Sequence, residues 1–330
     1  MAFFNFFDYD LCQLSAKGIC TIEAPCKINL HLSVGKRRDD CFHSIESIFA
    51  TLAFSDTLRF EIGGSEGEIR LFINWETPAE EIPDGKNLIL RAISLFKEQT
   101  GFKKGLIVRL DKRIPLGAGL GGGSSDAAAT LLALNLLSGA ALTMSRLAAM
   151  AAALGSDAPF FLACGTAYVS GRGETVEAVK SPEGLWVVLV KPPFASNTAS
   201  AYMLLDRLRA QGKVEEKANI KREILLEALE GDSEKWPFYN DFLPAFLCRG
   251  LSENASANGA VYRDILESLR NSGAAFAGLS GTGSCCFGVF HAKNKAEKAL
   301  EDLQTGNLQK EGNTAILTFF LAHRADPVLK

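Results

Sequence analysis

The sequence lacks most of the features that lead quickly to a function. Its eight cysteines form no C-x-x-C pair and its four histidines have no zinc-type spacing, so a structural metal is not expected. Cys12, Cys20, Cys26, Cys41, Cys164, Cys248, Cys285 and Cys286 are scattered through apolar surroundings, as reduced thiols of a cytoplasmic protein are. No long basic block occurs and the formal net charge is −3, which argues against a nucleic-acid partner. The opening run MAFFNFFDYD has no basic n-region and reaches Asp8 and Asp10 early. It reads as an extra strand or arm, not as a secretory signal. Ala127 to Ser145 carries no charge, but it is mostly alanine with Asn135, Ser138 and Gly139 in the middle. Its hydrophobicity is too low for lipid, and two helices broken near Ser138–Gly139 fit better than a membrane span. Nothing points to an obligate protein partner.

What remains is an ordinary globular composition over 330 residues, a length that fits two domains. Strand-like alternation fills GICTIEAPCKINLHLSVG, with an expected break at Ala24–Pro25, and HSIESIFATLAFSDTLRFEI, with FSD as an expected turn. PDGKNLILRAISLFKEQTG reads as a capped helix ending at Gly101, and TMSRLAAMAAALG as another, capped by Thr143 and stopped at Gly155. GTAYVSGRGETVEAV reads as a hairpin. Pro182-Glu183-Gly184 marks the boundary between residues 1–181 and 182–330. Beyond it, strands and helices alternate in an α+β pattern.

The densest signal is PLGAGLGGGSSDAAATLLALN, where every position from Gly117 to Gly123 is glycine except Ala118 and Leu120. Gly117, Gly119 and Gly122 satisfy G-x-G-x-x-G, but the dinucleotide reading fails on context. Asp111 to Leu116 separate the loop from the preceding strand, and no acidic residue lies between Asp126 and Asp157 to hold a ribose. A Walker A loop would need lysine where Ser124 follows Gly123. The protein-kinase set V-A-I-K, H-R-D and D-F-G is missing as well. The glycines run straight into a strong helix whose first turn should hold Ser124, Ser125 and Asp126. A helix start offers unpaired N–H groups and partial positive charge, and glycines before it let a phosphate approach the backbone. Pro115, Leu116, Gly117, Ala118, Gly119, Leu120, Gly121, Gly122, Gly123, Ser124 and Ser125 are therefore the candidate phosphate cradle.

PLGAGLGGGSSDAAA resembles the second motif of the GHMP small-molecule kinases. APCKINLHL resembles their N-terminal motif, and LSGTGSCCFGVF their C-terminal glycine motif. Three motifs in order from Ala24 to Phe290 identify the chain as a member of that superfamily. Within it, Lys27-Ile28-Asn29-Leu30, Arg38 to His43, Leu154 to Phe161 and Asn240-Asp241-Phe242 resemble the 4-diphosphocytidyl-2-C-methyl-D-erythritol kinases. The resemblance implies an N-terminal domain like the second domain of ribosomal protein S5 and a ferredoxin-like C-terminal domain. It implies ATP and Mg²⁺ as cofactors, without naming the metal's ligands, and a cytidine diphosphate-linked methylerythritol as substrate. Rival readings are a GHMP kinase for another small alcohol, a nucleotide-binding sensor without catalysis and, weakest, a nicotinamide oxidoreductase.

By the same resemblance Asp157 is the general base for the acceptor hydroxyl and Lys27 its electrostatic partner. Asn29 shares strand parity with Lys27, so both should face the cleft. Asn29, Phe42, His43, Gly281, Thr282 and Gly283 are the expected substrate contacts, with Phe42 in place of the family's tyrosine beside the histidine. Phe194 is a loose candidate for a second aromatic wall. Asp126 fits the helix dipole and is not counted as catalytic. Cys41 stands where glycine is usual, at a turn where positive φ would be wanted.

Overall fold

The structure, a computed structural model, describes residues 12–15, 18–76, 83–248, 253–305 and 312–321. The aromatic run at residues 1–10 lies outside the described residues. Two long antiparallel strands, β2 (Ile19–Arg37) and β3 (His43–Ile62), form the spine of the first sheet. β1 (Cys12–Ser15), β4 (Ile69–Trp75), β5 (Leu106–Lys112), β6 (Thr166–Gly171) and β7 (Thr175–Val179) complete it, with β4 and β5 parallel.

The expected break at Ala24–Pro25 is a bulge inside a continuous strand. The register slips between Pro25 and Lys27 and again between Asn29 and His31. A bulge tolerates proline, which has no N–H to give the ladder. It also re-aims side chains. Ile22, Ala24, Leu32 and Val34 enter the core under the helices, while Cys26, Ile28 and Leu30 between the slips enter the core on the other face. Lys27 and Asn29 are thereby turned to the cleft side. The expected turn at FSD is also strand. Asp56 is fully buried and accepts the N–H groups of Arg113 (2.6 Å) and Ile114 (2.8 Å). Tertiary partners override the local turn preference there.

Helices α1 (Leu88–Thr100), α2 (Gly122–Ser138), α3 (Met144–Leu154) and α4 (Ala158–Ala163) cover one face of this sheet. Asn87 and Thr143 cap α1 and α3, and Gly101 and Gly139 end α1 and α2 in left-handed conformation.

The second sheet contains β8 (Trp186–Lys191), β9 (Phe276–Leu279), β10 (Cys286–Phe290) and β11 (Thr314–Phe319) in the order β11-β8-β10-β9, antiparallel throughout. α5 (Thr198–Ala210), α6 (Arg222–Glu230), α7 (Phe242–Phe246) and α8 (Glu253–Asn271) lie between β8 and β9, and α9 (Lys293–Thr305) precedes β11. Numbering its own strands 1 to 4, the order is 4-1-3-2 with helical connections after strands 1 and 3, the ferredoxin-like arrangement. Val187, Leu189, Phe287 and Val289 of this sheet join Cys26, Ile28 and Ile48 of the first in one apolar layer. The two halves are therefore held against each other by core packing, which fixes the cleft between them. Among the described residues no helix is long and apolar enough to cross a membrane.

Candidate active site

A cleft of about 330 Å³ opens between the halves. One wall is the loop from Pro115 through Ser124. Lys27 packs directly against it, its N–H on the Leu120 carbonyl and its side chain beside Gly121. Asn29 and Asp157 line the cleft next to it, and Gly281, Thr282 and Tyr202 come from the second half.

The loop's carbonyls all turn into the protein. Those of Gly117, Ala118, Leu120 and Gly121 accept the N–H groups of Ser196, Cys285, Lys27 and Ser125, and that of Gly119 accepts the Ser280 hydroxyl. Ala118 closes a turn with Pro115, and from Gly119 to Ser124 no N–H donates to another described residue. α2 begins at Gly122, two residues earlier than expected, and Gly121 caps it without a side-chain bond. The wall is thus a row of N–H donors at an uncapped helix start, the arrangement that suits a polyanion.

The glycines serve packing as well as approach. At Gly119 (φ +74°) a Cβ would collide with the Ser280 carbonyl, and at Gly121 (φ +71°) it would fall 2.7 Å from the Phe161 ring. Not all of the expected cradle faces the cleft. Ser125 donates its N–H to Gly121, and its hydroxyl is buried with no partner among the described residues. Ser124 lines the cleft, its hydroxyl close to Gly155 just before Asp157.

Beside the loop, the Lys27 ammonium lies 3.4 Å from Asp157 Oδ2, donates to Asn29 Oδ1 at 2.6 Å and sits 4.4 Å over the Phe49 ring. Lys27 is 4% exposed, whereas Asp157 is partly open to the cleft. Asn29 Nδ2 donates to the Ser47 hydroxyl at 3.0 Å, which fixes the amide's orientation. Asp157 occupies the N-cap position of α4 but makes no capping bond, leaving its carboxylate to the cleft.

Beneath the loop lies a feature that the sequence reading missed. Lys112 is 3% exposed, bonds to Asp56, and donates to Asp126 Oδ2 at 2.6 Å. Two carboxylates share one ammonium in a dry site, so burial pushes Asp126 up to about 7 and the two carboxylates push Lys112 up against its own burial. The other carboxylate oxygen of Asp126 has no partner among the described residues. A lysine and an aspartate inside apolar strand patterns were the available signal, because buried charges require partners.

The residues expected to contact the base depart furthest from expectation, since neither Phe42 nor His43 lines the cleft. His43 is buried with Nε2 2.8 Å from Asp206 Oδ1, and its ring lies 4.9 Å from Tyr202. Phe42 is 54% exposed, with the Arg172 guanidinium 5.0 Å over its ring. Phe194 packs edge-on against Tyr262 at 5.5 Å and joins the core, so the aromatic wall beside His43 is Tyr202 instead. Burial, and then the nearby Asp157 carboxylate, push the Tyr202 phenol up to about 12, keeping it neutral. Gly281 and Thr282 line the cleft, but Gly283 donates its N–H to Ser280 within the turn and backs onto the Tyr262 hydroxyl. Cys41 adopts φ +67° despite its Cβ.

Comparison with known proteins agrees with this architecture. The family models for the N-terminal and C-terminal domains of GHMP kinases match residues 87–165 and 248–307. The 4-diphosphocytidyl-2-C-methyl-D-erythritol kinase of Thermodesulfovibrio yellowstonii is 37% identical over 85% of this chain and 93% of its own length. This chain belongs to that kinase family. The Synechococcus relative of the same name is 36% identical over 88% of this chain and 94% of its own length. A solved 4-(cytidine 5'-diphospho)-2C-methyl-D-erythritol kinase superposes with a TM-score of 0.69 at 32% identity, over 90% of this chain and 98% of that one. A homoserine kinase from Cytophaga hutchinsonii, at 16% identity and TM-score 0.66 over 95% and 98%, shares the two-domain fold.

Proposed function

We propose that the chain is a cytoplasmic kinase that transfers the γ-phosphoryl group of ATP to the 2-hydroxyl of 4-diphosphocytidyl-2-C-methyl-D-erythritol, releasing ADP. The relatives named above support the substrate. The observation that carries the chemistry is the row of acceptor-free N–H groups from Gly119 to Ser124 in the same cleft as the Lys27–Asp157 pair. The division at residues 181 and 182 belongs to this reading, with one wall of the cleft on either side.

In this reading the loop's N–H groups hold the triphosphate, as a helix start and an anion nest do. Asp157 accepts the proton of the acceptor hydroxyl as its oxygen bonds to phosphorus and the bridging bond to ADP breaks. Lys27 keeps the Asp157 carboxylate oriented and balances charge as it develops on the transferred group. Asn29, held by Ser47, positions the acceptor. Tyr202 and His43 form the wall for the cytosine, and Asp206 fixes the imidazole tautomer through Nε2. Mg²⁺ bound with ATP would supply charge neutralisation at the phosphates. The Ser124 hydroxyl, which lines the cleft, is an oxygen that would help hold such a hard cation, with phosphate and water supplying most of its ligands.

Coupled ADP release with the cytidyl substrate, mevalonate, homoserine and galactose in parallel tests the proposal. Turnover of the cytidyl substrate alone is expected. Turnover of only one of the other three would overturn the substrate, and nucleotide binding without turnover of any would favour a sensor.

A further inference from the structure

A second cavity, of about 370 Å³, lies against β9, the edge strand of the second sheet, and is lined by none of the catalytic candidates. Leu30, Phe238, Leu243 and Phe276 give it apolar walls, and the small side chains of Ala275 and Ala277 leave the space open. Two cations, Lys217 and Arg270, complete the lining. Both are exposed, and neither has an ion-pair partner among the described residues. The Lys217 ammonium is held 4.3 Å over the ring of Tyr239, itself part of the wall, so the charge stays at the cavity.

Unpaired cations on an apolar recess complement one chemical class, a small organic anion whose body is apolar. We propose that this cavity is a second binding site, for a small amphipathic anion, separate from the phosphoryl-transfer cleft. It has a physical link to that cleft. Asn240 lines the cavity and its Nδ2 donates at 2.8 Å to the carbonyls of both Leu279 and Gly281. Leu279 lines the cavity, whereas Gly281 lines the cleft. Leu30 and Asn29 stand in the same way on opposite faces of β2. An occupant therefore presses on the groups that hold the glycine turn, and is expected to alter KM for the acceptor; this coupling rests on the proposed role of the cleft.

The site itself is tested without turnover. Fluorescence titration of the full chain with 1-anilinonaphthalene-8-sulfonate, a small aromatic sulfonate, should show saturable binding that ADP and CMP do not displace. Lys217→Ala combined with Arg270→Ala should weaken that binding about tenfold or more, since two charge-assisted contacts are lost. Uncharged N-phenyl-1-naphthylamine should bind the wild type and the double variant alike. Equal sulfonate affinity in both proteins, or displacement of the sulfonate by ADP or CMP, overturns the proposal whether or not the kinase reading stands.

Discussion

The two ends of the cleft are built by different means. At the proposed phosphate end the groups on offer are backbone N–H donors of one contiguous segment, with every carbonyl from Gly117 to Gly121 tied into the protein. At the proposed base end they are side chains from separate segments: Tyr202 of α5 lines the cleft, His43 of β3, bonded to Asp206, lies against its ring, and Phe42 is exposed. The backbone restricts the sequence at Gly117, Gly119, Gly121 and Gly122, because a Cβ there meets other parts of the protein. Side-chain recognition only asks that a ring and a hydrogen-bonding group reach the right place, which several residues can satisfy. The phosphate end is accordingly rigid and the base end open to substitution.

The largest effect is expected at the reacting centre that both ends serve. Asp157→Asn keeps the size of the side chain and removes the base, so kcat should fall by about 10²- to 10⁴-fold. Nucleotide affinity should stay close to wild type, because the N–H row is untouched. Steady-state kinetics with a parallel ADP titration separates the two, and a near-normal kcat would remove Asp157 from the mechanism.

Next comes the rigidity of the phosphate end. Gly119→Ala drives a methyl group into the Ser280 carbonyl at φ +74°. Left-handed strain and overpacking together should lower stability by about 2–4 kcal/mol and raise KM for ATP. Thermal unfolding and ATP kinetics measure this; an unchanged Tm would mean that the loop yields, contrary to its packing between the two halves.

The same contrast decides how much could be read from the sequence. The glycine loop, the capped helices α1 and α3 and the strand–helix alternation of the second half depend on local chemistry, and all were legible. The continuity of β2 and β3 was not, because Pro25 and the FSD segment carry honest local signals that a bulge and the buried Asp56 override. Ser125 and Gly283 looked equivalent to their neighbours, yet helix phase and turn geometry aim them inward. Phe194 is a loose candidate in the sequence and Tyr202, eight positions on, is not singled out, since nothing local says which aromatic meets His43 across the domain interface.

The base end should respond less, and selectively. Tyr202→Ala should raise KM for the cytidyl substrate about tenfold, within the roughly 1–3 kcal/mol that base–aromatic stacking supplies. Tyr202→Phe keeps the π face and should lie near wild type. Neither should move KM for ATP by more than about twofold, a change under 0.5 kcal/mol. If the alanine variant binds the cytidyl substrate as wild type does, the wall of the base site lies elsewhere.

Asp126→Asn should change turnover least and instead reveal what lies under the loop. The unfolded carboxyl titrates near 3.8 and the folded one at about 7. Its folded value is raised, so the native chain keeps a proton that the unfolded chain has already released. Stability from this group therefore falls as pH rises from about 4 to about 7 and is level above that. Asparagine is close in shape to the protonated acid and does not titrate. The variant should match wild type near pH 4, fall less steeply as pH rises to 7, and keep its kcat. Denaturant unfolding across that range measures the difference in slope. Parallel slopes would mean that the folded chain holds no extra proton on Asp126.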